Sequence, residues 1–506
     1  MHFAIYFIFL TQQKTSQRFS MGKIFKNIIN LLKYVKKNGR INMYNNNRTG
    51  RTDAFMKIII AGCGKIGSTI VESLCGEGHD ILIIDSNDAV VQELTNVFDV
   101  MGLCGNCVDS DVLEEANAGS ADLYIAVADS DELNMLSCFL ARKMGAKNTI
   151  ARIRTPEYND KSLSVMKNNL EISVPINPER LAARELFNIL KVPSAVKLET
   201  FSHRNMEMLE VVLKENSVFD GVKLCDISAK FKADVLICCV QRGDEAFIPD
   251  GSFALKSGDK IGIIASHSEL QKLFKSSGLF RKQAKNVIIL GGSRVAYYLA
   301  EMLCEIGISV KIIDKDEKTC ELLGDMLPKA VVIRGDGTQQ ELLMREGMTH
   351  TDAFISLTGL DETNILISMF AMRHNVPKVI AKIDREELIP MAEELGLDCV
   401  VSPKKIVSDV VVSYARAVHN SLGSNIETLY KLMDDKVEAL EFNVREESGV
   451  VGVPLRELKL RKNILIIGII RDRRLITPTG NTEILIGDRV VVITTNHGLS
   501  DLSDII

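Results

Sequence analysis

Two kinds of apolar pattern recur along the chain. Short apolar runs, such as residues 58–61 and 81–84, alternate with stretches in which apolar residues recur at helical spacing, such as residues 68–75 and 132–144. The runs predict strands buried on both faces, and the stretches predict amphipathic helices. This alternation predicts a parallel sheet with helices on both faces. The strands predicted in this first segment cover residues 58–61, 81–84, 100–103, 123–126 and 149–153.

A smaller segment of different pattern follows. Apolar strands predicted at residues 207–213 and 235–241 flank a helical pattern at 224–231, and a Gly258-Asp259 turn leads to a last strand at 260–265. This order predicts a small α+β domain. Between the two segments, residues 177–192 form an apolar-periodic helix opened by a proline, which predicts a linker helix.

The whole arrangement occurs twice. Gly62 and Asp85 are echoed 229 residues later by Gly291 and Asp314, and the linker helix is echoed at residues 402–420. The predicted fold class is therefore α/β: two Rossmann-like doubly wound parallel-sheet domains, each followed by a small α+β domain, as a tandem duplication. The predicted boundaries are 1–55 for a basic leader, 56–176 and 284–401 for the nucleotide-binding domains, 177–196 and 402–424 for the linker helices, and 197–280 and 425–506 for the small domains.

The first 55 residues differ in kind from the rest. An apolar run at residues 2–10 is too short to span a bilayer, and it is followed by ten Lys and Arg against the single acid Asp53. We predict a disordered basic leader or sequence upstream of a natural start at Met56. A basic arm that contacts anionic lipid is the alternative. No later run reaches the length of a membrane span.

Residues 56–85 carry the candidate chemistry. Gly62, Gly64 and Gly67 follow the first strand with the spacing G-x-G-x-x-G and open a helix. These glycines permit, in turn, a tight bend, the approach of a pyrophosphate and the contact of helix with strand. The pyrophosphate would lie at the helix N-terminus. Asp85, at the end of the second strand, would bind the ribose hydroxyls and repel a 2′-phosphate, so we predict NAD(H) rather than NADP(H).

Composition excludes several function classes. The 506 residues are 46% hydrophobic and 25% charged with a net charge of −5, which argues against a nucleic-acid partner. Eleven scattered cysteines indicate a reducing compartment. Cys104 and Cys107 form an isolated C-x-x-C without a second pair, and the eight histidines form no cluster, so no metal site is predicted.

Several motifs together resemble one family. These are the GCGKIG turn, the S-D-E-L-N stretch and its L-D-E-T-N repeat, the ARIR strand and the Gly-Asp turn of the small domain. The chain from residue 56 onward resembles the TrkA family, the cytoplasmic nucleotide-binding subunits of bacterial Trk potassium uptake systems, built from tandem regulator-of-potassium-conductance (RCK) units. The resemblance implies a non-enzymatic, homo-oligomeric ring that binds NAD(H), and in some members ATP or ADP. It also implies a cytoplasmic position, peripheral to the inner face of the plasma membrane, beneath a TrkH- or TrkG-like potassium channel subunit.

The resemblance also implies a set of nucleotide-binding residues in each unit, and no catalytic residue. In the first unit they are Gly62, Cys63, Gly64, Lys65, Ile66 and Gly67 at the pyrophosphate, Asp85 at the ribose, and Ala128, Asp129 and Arg152 along the rest of the site. In the second unit they are Gly291, Gly292, Ser293, Arg294, Val295, Asp314, Thr358 and Lys382.

Some of these residues leave alternatives open. Ser293 replaces the middle glycine of the second fingerprint, and its hydroxyl either donates to a phosphate or excludes the dinucleotide. Asp129 and Asp131 are interpreted as helix-capping and first-turn acids rather than a cation site. Of Arg152 and Arg154, we expect only one to face the nucleotide.

Two rival functions belong to other classes. An NAD-dependent oxidoreductase needs an acid or base near the nicotinamide and a domain that encloses the substrate. The tandem repeat leaves no segment for such a domain. A structural or peptide-binding scaffold would require the first site to be empty.

Overall fold

The structure is a computed structural model that describes residues 56–155, 167, 169–191, 197–200, 207–214, 217–277, 284–397, 399–421, 426–433, 436–445, 448–472, 474–496, 499 and 501–506. The chain divides into two compact units, and all of the described residues belong to the second, Phe55–Ile506. The predicted leader, residues 1–55, lies outside the described residues.

The first parallel sheet carries the first glycine loop. Its strands are β1 (Lys57–Ala61), β2 (Asp80–Asp85), β3 (Met101–Cys104), β4 (Leu123–Ala126), β5 (Thr149–Arg152) and β6 (Val174–Ile176), in the order β3-β2-β1-β4-β5-β6. Its helices are α1 (Lys65–Cys75), α2 (Asp88–Val97), α3 (Ser110–Glu115) and α4 (Asp131–Met144). The strand order reverses between β1 and β4, which opens a crevice beyond their carboxyl ends.

The linker helix and the small domain follow. Helix α5 (Pro178–Lys191) leads to the sheet β10-β9-β11-β8-β7. Its elements are β7 (Lys197–Thr200), β8 (Glu207–Val212), α6 (Ile227–Phe231), β9 (Leu236–Arg242), β10 (Glu245–Phe247), β11 (Lys260–Ala265) and α7 (His267–Ser276). Sequence reasoning missed β7 and β10 because both are short and lack an apolar run.

The second unit repeats the first. Its parallel sheet, ordered β14-β13-β12-β15-β16-β17, consists of β12 (Asn286–Leu290), β13 (Ser309–Asp314), β14 (Val331–Arg334), β15 (Ala353–Ser356), β16 (Lys378–Lys382) and β17 (Val400–Val401). The helices are α8 (Arg294–Glu305), α9 (Glu317–Met326), α10 (Gln340–Arg345), α11 (Asp361–Arg373), α12 (Ile389–Glu394) and the linker α13 (Pro403–Ser421). The small sheet, ordered β18-β19-β22-β20-β21, consists of β18 (Ile426–Leu432), β19 (Val437–Asn443), β20 (Ile464–Arg471), β21 (Arg474–Ile476) and β22 (Arg489–Thr494).

The duplication extends to strand register and to buried polar pairs. Ile58 pairs with Ile81 in the first unit, and the residues 229 positions later, Val287 and Val310, pair in the second. In the first small domain the buried Asp259 accepts two hydrogen bonds from Arg242, at 2.7 and 2.8 Å. Asp488 and Arg471 repeat this pair in the second. The repeated Gly-Asp step therefore supplies a buried carboxylate that its arginine satisfies.

The linker helices exchange partners between the two units. The buried face of α5, which includes Ala182, Leu186 and Leu190, joins the core of the second nucleotide domain. The buried face of α13, which includes Val407 and Val411, joins the core of the first. The sequence predicted both helices but placed them only between the nucleotide domain and the small domain of their own unit.

The two small domains also pack together. Their sheets share an apolar cluster that contains Cys238, Cys239 and Met433. At its edge, the carboxylate of the buried Glu210 accepts a hydrogen bond from the Met433 N–H at 3.0 Å. Residues 56–506 thus form a pseudo-dimer of two similar units within one chain. Among the described residues, no helix is both long enough and apolar enough to cross a membrane.

Candidate nucleotide-binding sites

The three glycines of the first loop differ in whether the fold itself requires a glycine at that position. Gly62 has φ +90°, and a Cβ there would lie 2.4 Å from the Ala128 nitrogen. A Cβ on Gly67 would lie 2.0 Å from the Gly62 carbonyl oxygen. A Cβ on Gly64 would meet no atom within 4 Å. The fold itself therefore requires glycine at 62 and 67, whereas Gly64 faces open space in front of the helix.

The N-terminus of α1 lies at this open space. Gly64 is the N-cap residue, and no side chain caps the helix. The N–H groups of a first helical turn have no partner within the helix, and together with the helix dipole they favour an anion. Lys65 beside them is exposed, whereas Ile66 is half-buried against the core.

Asp85 lies against the glycine loop. Its carboxylate accepts a hydrogen bond from the Cys63 N–H at 2.6 Å and another from the Asn87 N–H at 2.8 Å. It thereby holds the loop to the end of β2. Burial, and secondarily Asp85, raises the pKa of the Cys63 thiol to about 12, so this cysteine is a neutral packing group.

The opposite wall of the site is the segment that follows β4. Arg152, 6% exposed, donates to the Ala128 carbonyl at 2.6 Å and lies 3.6 Å from the exposed carboxylate of Asp129. Burial, and secondarily Arg154, lowers the pKa of Arg152. The buried Asn134 donates to the carbonyl groups of Ala128 and Arg152, at 2.9 and 3.0 Å. The sequence analysis assigned no role to this asparagine, although its repetition as Asn364 in the second unit is a signal that could have identified it.

Arg154 contacts the same wall as Arg152. Its guanidinium donates to the Asp129 carbonyl at 2.7 Å, so both arginines contact the same segment, as residues two apart in an extended chain can. That only one of them faces a bound nucleotide stays a prediction. Ser130 is the N-cap of α4, while Asp131, in its first turn, accepts hydrogen bonds from the backbone N–H groups of Arg154 and Thr155. Asp129 caps no helix.

The second site has the same geometry with one difference at the helix. Gly291 has φ +98°, and Asp314 accepts a hydrogen bond from the Gly292 N–H at 2.5 Å. Ser293, however, is the N-cap of α8, and its hydroxyl accepts a hydrogen bond from the Ala296 N–H at 3.3 Å. The second helix therefore has a side-chain cap at the position where the first faces open space.

The remaining predicted residues of the second site are placed as follows. Arg294 is exposed, and the side chain of Val295 is buried in the core. The Thr358 hydroxyl donates to Asn364 at 2.7 Å, and the Lys382 ammonium pairs with Asp384 at 2.9 Å. Asp384 stands where the first unit has Arg154. Among the described residues, no group of three His, Cys, Asp or Glu side chains is arranged to hold a metal ion.

Two Rossmann-type sheets with glycine loops, each followed by an antiparallel small domain, define a class of protein built by tandem duplication of one two-domain unit. Family models agree with this class: the TrkA-N domain matches residues 58–171 and 287–403, and the TrkA-C domain matches residues 208–278 and 439–506. A Trk system potassium uptake protein TrkA homolog from Archaeoglobus fulgidus is 31% identical over 438 residues, which are 86% of this chain and 97% of the relative. TrkA of Haemophilus influenzae is 29% identical, over 86% of this chain and 95% of the relative. The chain belongs to the TrkA family.

Solved structures show the same fold. The GsuK channel has a TM-score of 0.59 and 18% identity, and the match covers 96% of this chain and 87% of that one. The GsuK RCK domain has a TM-score of 0.57 and 19% identity, and the match covers 88% of this chain and 94% of that one. These matches show the fold, and the predicted tandem duplication is confirmed by the two family models, each of which matches the chain twice.

Proposed function

We propose that this protein is an NAD(H)-binding regulatory subunit that gates a Trk- or Ktr-type membrane potassium uptake channel without consuming the nucleotide. The uncapped glycine loop of the first unit, with Asp85 beside it, is the observation that carries the proposal. The names of the TrkA relatives support the potassium-uptake role. A GsuK channel of the same fold, with a TM-score of 0.57, has been solved bound to NAD.

The first site would hold the dinucleotide with its pyrophosphate against residues 62–67 and the N-terminus of α1. Each carboxylate oxygen of Asp85 has a second lone pair, so it can accept a ribose hydroxyl while it keeps its hydrogen bond to the backbone. Ala128, Asp129 and Arg152 would line the remainder. ATP and ADP share the phosphates and the ribose and are therefore the natural competitors.

The second site would bind nucleotide more weakly. A phosphate at residues 291–295 must displace the Ser293 hydroxyl from the helix N-terminus, and such a cap contributes about 0.5–2 kcal/mol. Asp314, Thr358 and Lys382 would provide the remaining contacts. We therefore infer one tight dinucleotide per chain.

We propose that several chains assemble into a ring at the inner face of the plasma membrane. A ligand changes such an assembly only by the difference in its affinity for two arrangements. The mechanism therefore requires about 1–3 kcal/mol of coupling between the nucleotide site and the channel.

The test is a titration of purified protein with NADH, NAD, ATP and ADP, in the wild type and in two matched variants. Gly64→Asp places a carboxylate against the pyrophosphate and should abolish tight binding, whereas Ser293→Asp changes the equivalent position of the second site and should leave it intact. NADH oxidation that depended on an added substrate would favour the oxidoreductase instead. Potassium uptake in cells that carry the channel should lose its nucleotide response with Gly64→Asp; an unchanged response would contradict gating.

A further inference from the structure

Tyr298 belongs to the second nucleotide domain, but its hydroxyl reaches the first. It lies in the second turn of α8, the helix that begins at the second glycine loop, and it is 6% exposed. Its hydroxyl accepts a hydrogen bond from the Asn177 side chain at 3.1 Å and donates to the Arg154 carbonyl at 3.3 Å. Burial is the main cause that raises the pKa of Tyr298, so the hydroxyl stays protonated and remains a donor.

Asn177 ties the same point to the linker helix. Its side-chain oxygen accepts a hydrogen bond from the Arg180 N–H at 2.9 Å, as an N-cap residue of α5 does. Its amide nitrogen donates to Tyr298 and lies 3.4 Å from the Arg154 carbonyl. One asparagine thus holds the start of α5 and the end of the first sheet to α8.

Arg154 connects this joint to the first nucleotide site. Its carbonyl contacts Tyr298, while its side chain donates to the Asp129 carbonyl in the wall of the site. Some buried polar atoms of the described residues have no hydrogen-bond partner. They include the Nε atoms of Arg152 and Arg154 and one carboxylate oxygen of Glu179. A buried unpaired polar atom costs about 1–3 kcal/mol. An anionic ligand that offers hydrogen-bond acceptors to these two arginines would therefore stabilise a rearranged position of their side chains.

Among the described residues, the other junction between the units is hydrogen-bonded in a different way: the Ser408 hydroxyl of α13 donates to the Thr69 carbonyl at 3.4 Å and to the Ser73 hydroxyl at 2.8 Å. Thr69 stands at the position of Tyr298, and its hydroxyl donates to the Lys65 carbonyl within its own helix at 3.0 Å. Asp384 stands at the position of Arg154 and is paired with Lys382. The route through a tyrosine hydroxyl and an arginine carbonyl therefore runs from the first site to the second nucleotide domain, and among the described residues it is not repeated at the other junction.

We propose that Tyr298 is a positioning residue that transmits nucleotide occupancy of the first site to helix α8 of the second nucleotide domain. The proposal rests on the proposed function of the first site. Rearrangement of Arg154 on ligand binding shifts the carbonyl that the Tyr298 hydroxyl contacts, and α8 carries the second glycine loop at its N-terminus. By linkage, a ligand at the second loop alters affinity at the first site by the same factor.

The experiment measures amide hydrogen exchange in α8 with and without NADH. NADH should change the exchange of the wild-type helix at least severalfold. Tyr298→Phe keeps the ring and deletes the hydroxyl, so NADH affinity should stay within about threefold while the change in α8 is lost. Tyr297→Phe is the matched control, because the neighbouring hydroxyl contacts Glu301 of its own helix and its loss should leave the wild-type response.

A second variant tests the path independently of the tyrosine. Asn177→Ser retains a good N-cap for α5 but lacks the amide that donates to Tyr298, so it should reduce the NADH response of α8 without abolishing it, because the Tyr298–Arg154 hydrogen bond remains. Either of two results would overturn this inference and leave the proposed function standing. One is a full NADH response of α8 in Tyr298→Phe, and the other is a loss of that response in Tyr297→Phe as large as the loss in Tyr298→Phe. A wild type that binds no NADH would overturn the proposed function and this inference with it.

Discussion

At the residue scale, one sequence motif combines structural and ligand-binding requirements. Gly62 and Gly67 are required by a positive φ and by a backbone approach, whereas nothing in the protein crowds Gly64. The sequence predicted all three positions from their spacing. It could not separate the two kinds of requirement, because each produces the same residue type.

This separation yields a prediction for three alanine variants. Gly64→Ala should leave the melting temperature unchanged but raise the NADH dissociation constant about tenfold, since a methyl group would stand where the pyrophosphate approaches. Gly62→Ala and Gly67→Ala should each destabilise the fold by about 1–3 kcal/mol. Thermal melting and NADH titration of the three proteins check this. Equal destabilisation by all three, with unchanged affinity in Gly64→Ala, would contradict it.

His79 makes stability depend on pH at one junction of the units. Its ring lies 5.6 Å from that of His419 on α13, with Glu77, Asp80 and Arg416 as its other charged neighbours. Burial, and then His419, lowers the pKa of His79 below the usual 6.5. The unfolded chain therefore binds more protons in the range just below pH 6.5, and the stability of the folded state falls as pH falls through it.

The corresponding measurement is the melting temperature between pH 7.5 and about pH 5. The loss of stability on acidification should be smaller in His79→Gln than in the wild type. His350→Gln, at an exposed histidine of the second nucleotide domain, is the control and should follow the wild type. An identical pH dependence in all three proteins would show that His79 does not titrate as described.

At the element scale, the linker helices determine how the two units fit. The helical spacing of apolar residues at 177–192 and 402–420 predicted both helices within one residue of their ends. It did not reveal that each covers the opposite nucleotide domain, because an apolar stripe carries no information about which apolar surface will cover it. The short strands β7 and β10 were missed for a related reason, since a strand without an apolar run is defined only by its neighbours in the sheet.

A substitution at Leu186 tests whether the linker helices are exchanged between the two units. It is fully buried where α5 meets the second nucleotide domain, so Leu186→Ala should cost about 2–5 kcal/mol. Arg184→Ala, on the exposed face of the same helix, should change stability by less than about 0.5 kcal/mol. Hydrogen exchange should place the loss of protection in β12 and α8. Loss confined to the first nucleotide domain would contradict the exchanged arrangement.

At the scale of the whole molecule, the sequence predicted the candidate nucleotide sites in more detail than the contacts between the two units. The repeat at an offset of 229 predicted two equivalent glycine loops, and the structure places each beside its acid, Asp85 or Asp314. The side-chain cap from Ser293 depends on a rotamer, which spacing does not specify, whereas the two-residue spacing of Arg152 and Arg154 is compatible with their common direction. Contacts between the units, such as that of Asn177 with Tyr298, join residues 121 positions apart and have no local signature.

The exchanged helices and the paired small sheets predict that the two units hold each other without a covalent link. Residues 56–277 and 284–506, produced as separate chains in one cell, should copurify in equal amounts, because α5, α13 and the cluster around Cys238 and Met433 all lie between them. Either half alone leaves one apolar helix face and one sheet face uncovered, so it should aggregate or pair with itself. Leu186→Asp combined with Val411→Asp places a charge in each fully buried helix contact and should abolish copurification. Two halves that purify apart as stable monomers would show that the interface seen in the intact chain contributes little to its stability.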